Sequence, residues 1–194
     1  ADRASVRDAD GSFAAEGIEL VRDRALLSML VPAELGGGGA THAAACAALA
    51  ELAHGCPATS LTLSMHTHLV AAQCWRHRRG LAAPALGRVA DGRTLLVSTG
   101  ASDWLGSSGS ATRVSGGFLV RGRKQPASGC QAGQVMVTSI RWDEAPDGPQ
   151  VIHASVPLGA DGVSIDETWD AMGMRATGSD TVVLDEVFVP DSAV

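Results

Sequence analysis

Long apolar runs are missing from this sequence: none reaches the roughly 18 residues a helix needs to cross a bilayer. The opening stretch, ADRASVRDADGSF, has neither the basic region nor the apolar core of a secretory leader. It also has no initiator Met, which leaves room for residues upstream. These absences point to a cytoplasmic chain that does not enter a membrane. Basic residues are scarce as well: 15 Lys and Arg stand against 21 Asp and Glu, a net charge of -6, which argues against a general nucleic-acid binder. Paired cysteines are absent. Cys46, Cys56, Cys74 and Cys130 form no C-x-x-C, so they read as reduced, mostly buried thiols and neither as a zinc site nor as a disulfide framework. The P-loop pattern, a G-x-G-x-x-G opening a helix after a strand, and the G-x-S-x-G elbow are all missing. His66 and His68 lie two apart on a predicted helix, pointing about 160 degrees from each other, where paired metal ligands prefer i, i+4. Both read as core or pocket-lining histidines, and no metal is expected.

What is present describes a folded chain. Hydrophobic content of 45% and charged content of 19% over 194 residues suit one large domain or two modest ones. The first half has helical period. In SFAAEGIELVRDRALLSML, Ile18, Val21 and Ala25 share a face, with Asp and Ser before them as caps and Pro32 and Gly36 to Gly39 after them as a stop. THAAACAALAELAHGCP predicts a second helix with Cys46, Leu49 and Ala53 on one face, Gly55 at C′ and Pro57 blocking continuation. TSLTLSMHTHLVAAQCWRHRRG is apolar nearly all round, which implies burial between neighbours. Its basic end, Arg76, Arg78 and Arg79, is accounted for by the helix dipole or by contact with an anionic ligand. LAAPALGRVADG predicts a short broken helix.

From about Thr94 the period becomes alternating. ATRVSGGFLVRGRK places Gly116 and Gly117 between two strand-like runs as a hairpin, VIHASVPL points Ile152, Ala154, Val156 and Leu158 inward, and TVVLDEVFVP is a further strand. DEAPDGPQ and LGADG have turn chemistry. The predicted architecture is α+β: a helical domain over residues 1–93, then an antiparallel β-barrel or sandwich domain over 94–194.

Two runs of small residues carry the chemistry, VSTGASD at 97–103 and RKQPASGCQAG at 123–133, both at strand ends. Hydroxyls and main-chain N–H groups there can bond a ring edge that alternates donors and acceptors, and Gly or Ala beside them lets the backbone come close. A flavin has such an edge. On composition alone the same runs read as two polar turns.

The order of features resembles the first two domains of the acyl-CoA dehydrogenase family. LLSMLVPAELGGGGA is similar to that family's vPeeyGGlG turn, VSTGASD falls where it carries its T-E-P-x-x-G-S-D segment, GGFLVRGRKQPASG resembles its dGy.lnGxK.fiS.G hairpin, and WDAMGMRATGSDTVVLDEVFVP resembles its GMRgt.s..v.f.dV.VP strand. The resemblance implies an α domain and a β domain holding FAD, with FMN as the alternative. It also implies cofactor contacts from Ser98, Thr99, Ala127 and Ser128, with Asp103 and Ser102 stabilising the loop as the remnant of the G-S-D turn.

The activity implied is α,β-dehydrogenation of an acyl thioester, with hydride passing to the flavin. Pro126 stands where the family packs an aromatic on the ring, and SGC after it resembles the flavin-dependent monooxygenases of the same fold. Two alternatives follow: a two-component monooxygenase, or a non-catalytic subunit. The family's C-terminal four-helix bundle, which supplies the catalytic carboxylate, has no counterpart here, so the catalytic residue is unassigned. The implied partners are an acyl-CoA or other small-molecule substrate and either a homo-oligomer or a second chain that brings the helical bundle. Neither nucleic acid nor membrane is among them.

Overall fold

The computed structural model describes residues 3–194, apart from the side chain of Ser102. Five helices come first: α1 (Ala4–Asp10), α2 (Ala15–Asp23), α3 (His42–Gly55), α4 (Pro57–His77) and α5 (Pro84–Val89). Then follow β1 (Leu96–Ser98), α6 (Ala101–Gly106), β2 (Ser110–Val114), β3 (Gly117–Lys124), β4 (Val135–Trp142), β5 (Gln150–Pro157), β6 (Val163–Asp166) and β7 (Thr181–Pro190). The chain forms two compact units. One runs up to Leu96 and takes back Asp170–Gly178; the other comprises Val97–Trp169 and Ser179–Val194. No helix among the described residues is long and apolar enough to cross a membrane.

In the helical unit, α4 is the element the others pack against, with residues from Ala58 to Cys74 buried around much of its circumference. Pro57 opens it at the first turn, where a missing N–H costs nothing. One residue before, the N–H of Cys56 donates to Leu52 O at 2.9 Å and closes α3, so the two helices turn sharply about a single linker residue. Ser60 Oγ donates to Leu49 O at 2.7 Å and ties them together.

Two helix expectations are corrected. The run beginning at Ser12 does not continue to Leu30: α2 ends at Asp23, and Ala25 adopts a left-handed φ of 52°, which turns Leu27 into the core. Helical spacing continued past the break because a 3-10 turn at Leu26–Ser28 presents its apolar residues to the same core. On α3 the buried residue is Ala45, not Cys46, which is exposed.

His66 is central to this unit. It is fully buried, its Nδ1 accepts from the Leu96 N–H at 2.9 Å, and its Nε2 lies 2.8 Å from Leu27 O. With Nδ1 accepting, the ring proton sits on Nε2 and donates to Leu27, so a neutral imidazole joins α4 to two distant stretches of main chain. His68, in contrast, is exposed on the far side of the helix and lines no core.

The β unit is one seven-stranded sheet, in which β6, β7, β3 and β2 lie side by side, β2 borders β4, and β1 and β5 also border β4. The sheet is mixed, which corrects the antiparallel expectation, and it is curled but open, where a closed barrel or sandwich was expected. The physical reason is the connection after β3. It passes β2 before the chain reverses, so β4 lies parallel to β2, meeting it at Ser110 and Arg141. The β2–β3, β3–β7, β4–β5 and β6–β7 pairs are antiparallel.

The hairpin is shifted by one residue from the sequence reading: Val114 pairs with Gly117, so the turn is Ser115–Gly116. Gly117 is already in the strand, and a Cβ there would sit 2.2 Å from Val189 O, which explains the second glycine. Ile152, Ala154 and Val156 are buried in one core with Val97, Phe118, Met136 and Val187.

Burial, partly offset by the bond to Leu27, pulls the His66 pKa from 6.5 down to about 4. The unfolded chain therefore binds a proton that the folded one refuses between those values. Its contribution is complete above pH 6.5 and is lost as the pH falls toward 4, the loss reaching about 2 kcal/mol near pH 5. Urea unfolding at a series of pH values checks this. His66→Gln should be less stable at neutral pH yet lose less on acidification across that window.

Candidate functional site

β1 ends at Ser98, and the next residue, Thr99, forms an antiparallel bridge with Ala127. The two small-residue runs singled out in the sequence are therefore in main-chain contact. The N–H of Ala127 donates in the other direction to Asp180 O at 3.1 Å, so the second run lies between the first and the start of β7. Gly100 makes the approach possible: a Cβ there would lie 2.7 Å from Pro126 Cδ. The result is a shelf with two lips, residues 98–101 and 126–129, on which no side chain is larger than Thr or Pro.

Most of the hydroxyls point into the support of this shelf. Ser98 Oγ donates to Thr99 O at 3.1 Å. Thr99 Oγ1 donates to Asp103 Oδ2 at 2.7 Å and lies 3.3 Å from Thr138 Oγ1. Ser128 Oγ and Ser179 Oγ are 2.8 Å apart. Ser98 and Thr99 are each 1% exposed and Ala127 0%, against 7% for Ser128. The structure thus brings all four sequence-named residues together, and it directs the Thr99 hydroxyl proton toward Asp103. The Ser102 side chain lies outside the described atoms.

Beneath the first lip, α6 carries Asp103 inward, and its Trp104 ring packs 4.9 Å from that of His153 on β5. Asp103 faces Lys124, the single lysine of the chain, whose side chain is fully buried. Lys124 Nζ donates to Asp103 Oδ1 at 3.1 Å and to Ser139 O at 2.6 Å, and also to Ser108 O. Burial alone would raise the Asp103 pKa, but bonds from Ser108 and Thr99 and the Lys124 charge outweigh it and hold the carboxyl below its ordinary value. Burial pulls the Lys124 ammonium down, and Asp103 offsets part of that.

The second lip rests on Asp180. Its carboxylate accepts from the main-chain N–H groups of Thr168 and Trp169 at 3.0 and 2.9 Å and from Gln131 Nε2 at 2.7 Å. Lys124, Ser179 and Asp180 were missed by the sequence reading. Signals existed for all three: one lysine among many arginines, and, for Ser179 and Asp180, a T-G-S-D run, 177–180, that resembles the S-T-G-A-S-D of the first lip.

Other candidates are engaged elsewhere. Of the basic cluster, Arg76 Nε donates to Ala82 O at 2.7 Å and Arg79 stacks 4.0 Å from the Trp75 ring, so these two finish the end of α4. Burial, followed by the Asp180 charge, pushes the Cys130 thiol up to about 12. A groove of about 900 Å³ lies within the helical unit, lined by Leu20, Leu26, Leu52 and Cys56 and edged by the paired Arg7 and Glu16. Its floor is apolar and these two rim charges are paired with each other.

A helical unit followed by an open mixed sheet with this shelf defines the acyl-CoA dehydrogenase type of fold. Residues 1–77 match the family described as acyl-CoA dehydrogenase, N-terminal domain. YdbM of Bacillus subtilis (strain 168), which bears a provisional acyl-CoA dehydrogenase name, is 31% identical over 95% of this chain and 50% of its own length. L-evernosamine nitrososynthase of Micromonospora sp. is 32% identical over 94% of this chain and 45% of its own. Among solved structures, KijD3 in complex with FMN and a dTDP-linked amino-keto sugar superposes with a TM-score of 0.88 at 26% identity, over 99% of this chain and 49% of that one. The chain is thus a relative of the acyl-CoA dehydrogenases and of the monooxygenases and nitrososynthases that share their fold. It spans about half the length of the curated relatives it matches.

Asp180→Ala strands two main-chain donors and should cost about 1–3 kcal/mol. Asp180→Asn keeps an acceptor oxygen and should cost less. Thermal unfolding of the two variants checks this order.

Proposed function

We propose that this chain is the flavin-holding part of an oxidoreductase built on the acyl-CoA dehydrogenase fold. The observation that carries the reading is the Thr99–Ala127 bridge, which joins two lips of small residues into one surface for a flat polar ring. The residues present fit such a ring. Bulk is absent from both lips, and the hydroxyls of Ser128 and Ser179, 2.8 Å apart, provide a donor and acceptor pair beside them. FAD is the proposed cofactor, and FMN, as in KijD3, is the alternative. When bound, the flavin supplies a two-electron acceptor. Ser98 and Thr99 would hold its edge through their main chain and Ser128 through its hydroxyl, with Ala127, whose N–H is already bonded to Asp180 O, offering a close contact without bulk. Fixed donors of this kind stabilise negative charge most when water is kept away.

The proposed reaction is α,β-dehydrogenation of an acyl thioester. Neither shelf carboxylate is placed to act as its base: Asp103 is bound to Lys124, and Asp180 to main-chain donors. The base is proposed to come from a helical bundle in a further domain or a second chain. The Ala-rich helix α3, with Ala45 as its one buried residue, offers a face on which other helices can pack closely. A second reading, oxygenation by reduced flavin, is favoured by Pro126 seated against Gly100 where the dehydrogenases carry an aromatic.

Titrating the purified protein with FAD and FMN while recording the visible spectrum tests the proposal. Bound flavin bleached by an acyl-CoA supports dehydrogenation, and oxygen uptake dependent on an NADH reductase supports the second reading. Failure to bind either flavin, alone or with the relatives' helical domain supplied, would overturn both. Ser128→Ala should weaken flavin binding by about 1 kcal/mol, roughly fivefold.

A further inference from the structure

We infer that Lys124 and Asp103 are positioning residues that set the spacing of the two lips, and through it the affinity of the shelf for its ligand. The inference takes its ligand from the flavin reading and everything else from geometry. Lys124 is the last residue of β3 and stands two residues before Pro126, where the second lip begins. Asp103 lies four residues after Thr99, in the first turn of α6, and accepts the Thr99 hydroxyl at 2.7 Å on the carboxylate that meets Lys124 Nζ at 3.1 Å.

Both lips are thereby clamped by one ion pair, and the pair is itself seated on β4. Thr138 Oγ1 donates to Asp103 Oδ2 at 3.1 Å, Ser139 O accepts from Lys124 Nζ at 2.6 Å, and Ser139 Oγ donates to Asp103 O at 3.2 Å. Ser107 Oγ, at the far end of α6, donates to Ser139 Oγ at 3.1 Å. Three separate stretches of chain thus meet within one hydrogen-bonded cluster.

The chemistry suits positioning better than stabilisation. A buried ion pair contributes little net stability, because desolvation offsets the attraction, yet its directional bonds define a geometry that apolar packing would leave looser. A tetrahedral ammonium directs three donors to three separate groups, here Asp103, Ser108 O and Ser139 O. A planar guanidinium holds all its donors in one plane and would address a different arrangement of acceptors. Every other fixed cation of the chain is arginine.

The test uses Lys124→Met, Asp103→Leu and the double variant, with two readouts. One is the dissociation constant for FMN by fluorescence quenching. The other is the rate of iodoacetamide alkylation of Cys130, followed by peptide mass spectrometry. Cys130 is 1% exposed, and its N–H donates to Ala127 O at 3.1 Å at the end of the second lip, so its alkylation reports lip opening without a ligand. Each protein is assayed at the same interval below its own melting temperature, so that global unfolding contributes equally.

The double variant should bind FMN about tenfold or more weakly and alkylate about tenfold faster than wild type, although it carries no unpaired charge. Thr99→Val, which leaves the ion pair in place and removes its link to the first lip, should shift both readouts in the same direction. Wild-type values in both the double variant and Thr99→Val would overturn the inference. If the wild type binds no flavin the functional reading fails, and alkylation alone decides this one: faster Cys130 labelling sustains it and an unchanged rate removes it.

Discussion

Two opposite charges have been taken out of water in the middle of the β unit, and the local structure is arranged so that this is tolerable. Lys124 and Asp103 would each be strongly unfavourable alone. Together they are surrounded by Thr99, Ser107, Ser108, Thr138 and Ser139, whose hydroxyls and carbonyls meet the hydrogen-bonding capacity that water would otherwise fill. The run of short polar residues after β1 follows from this requirement. A larger side chain at these positions would displace the groups that make the pair possible, and a residue without a hydroxyl would remove one of its hydrogen-bond partners. The same run forms one lip of the shelf, so the support of the charge and the surface offered to a ligand are two sides of one segment.

The helical unit is organised by a different buried polar group. His66 is neutral and uses both ring nitrogens on main chain, one at the 3-10 turn of Leu27 and one at Leu96, where the unit ends. Apolar packing alone would let these stretches slide, since Ile18, Leu27, Leu63 and Val70 make non-directional contacts. The imidazole gives them a register. Buried titratable groups at the centre, one imidazole in the helical unit and one ion pair in the β unit, therefore do what hydrophobic area cannot, and each meets its partners only after the chain has folded back over many residues.

Legibility in the sequence follows the range of the interaction. Helical period, the Pro57 start, the inward face of Ile152, Ala154 and Val156 and the hairpin near Gly116 are all local, and they could be read. The break at Ala25 could not, because the apolar spacing persisted through it. The parallel pairing of β2 with β4 could not either, since it depends on the path of residues 125–134 past an intervening strand. At the shelf, composition alone read the two runs as polar turns. The family resemblance turned their hydroxyls toward a ligand, and neither reading could show that Thr99 directs its proton to Asp103 or that the second lip rests on Asp180, a partner more than 50 residues away in sequence.

The amino-acid sequence by itself determined the two classes of secondary structure, their order, and the two places where bulk had to be absent. It did so because propensity, capping and glycine requirements act within a few residues. Only the tertiary structure decided that those two places are one, that the lone lysine is a buried clamp, and that residues 170–178 return to the helical unit. These outcomes depend on which distant groups meet, and a hydroxyl or a carboxylate has no defined partner until the backbone has closed around it.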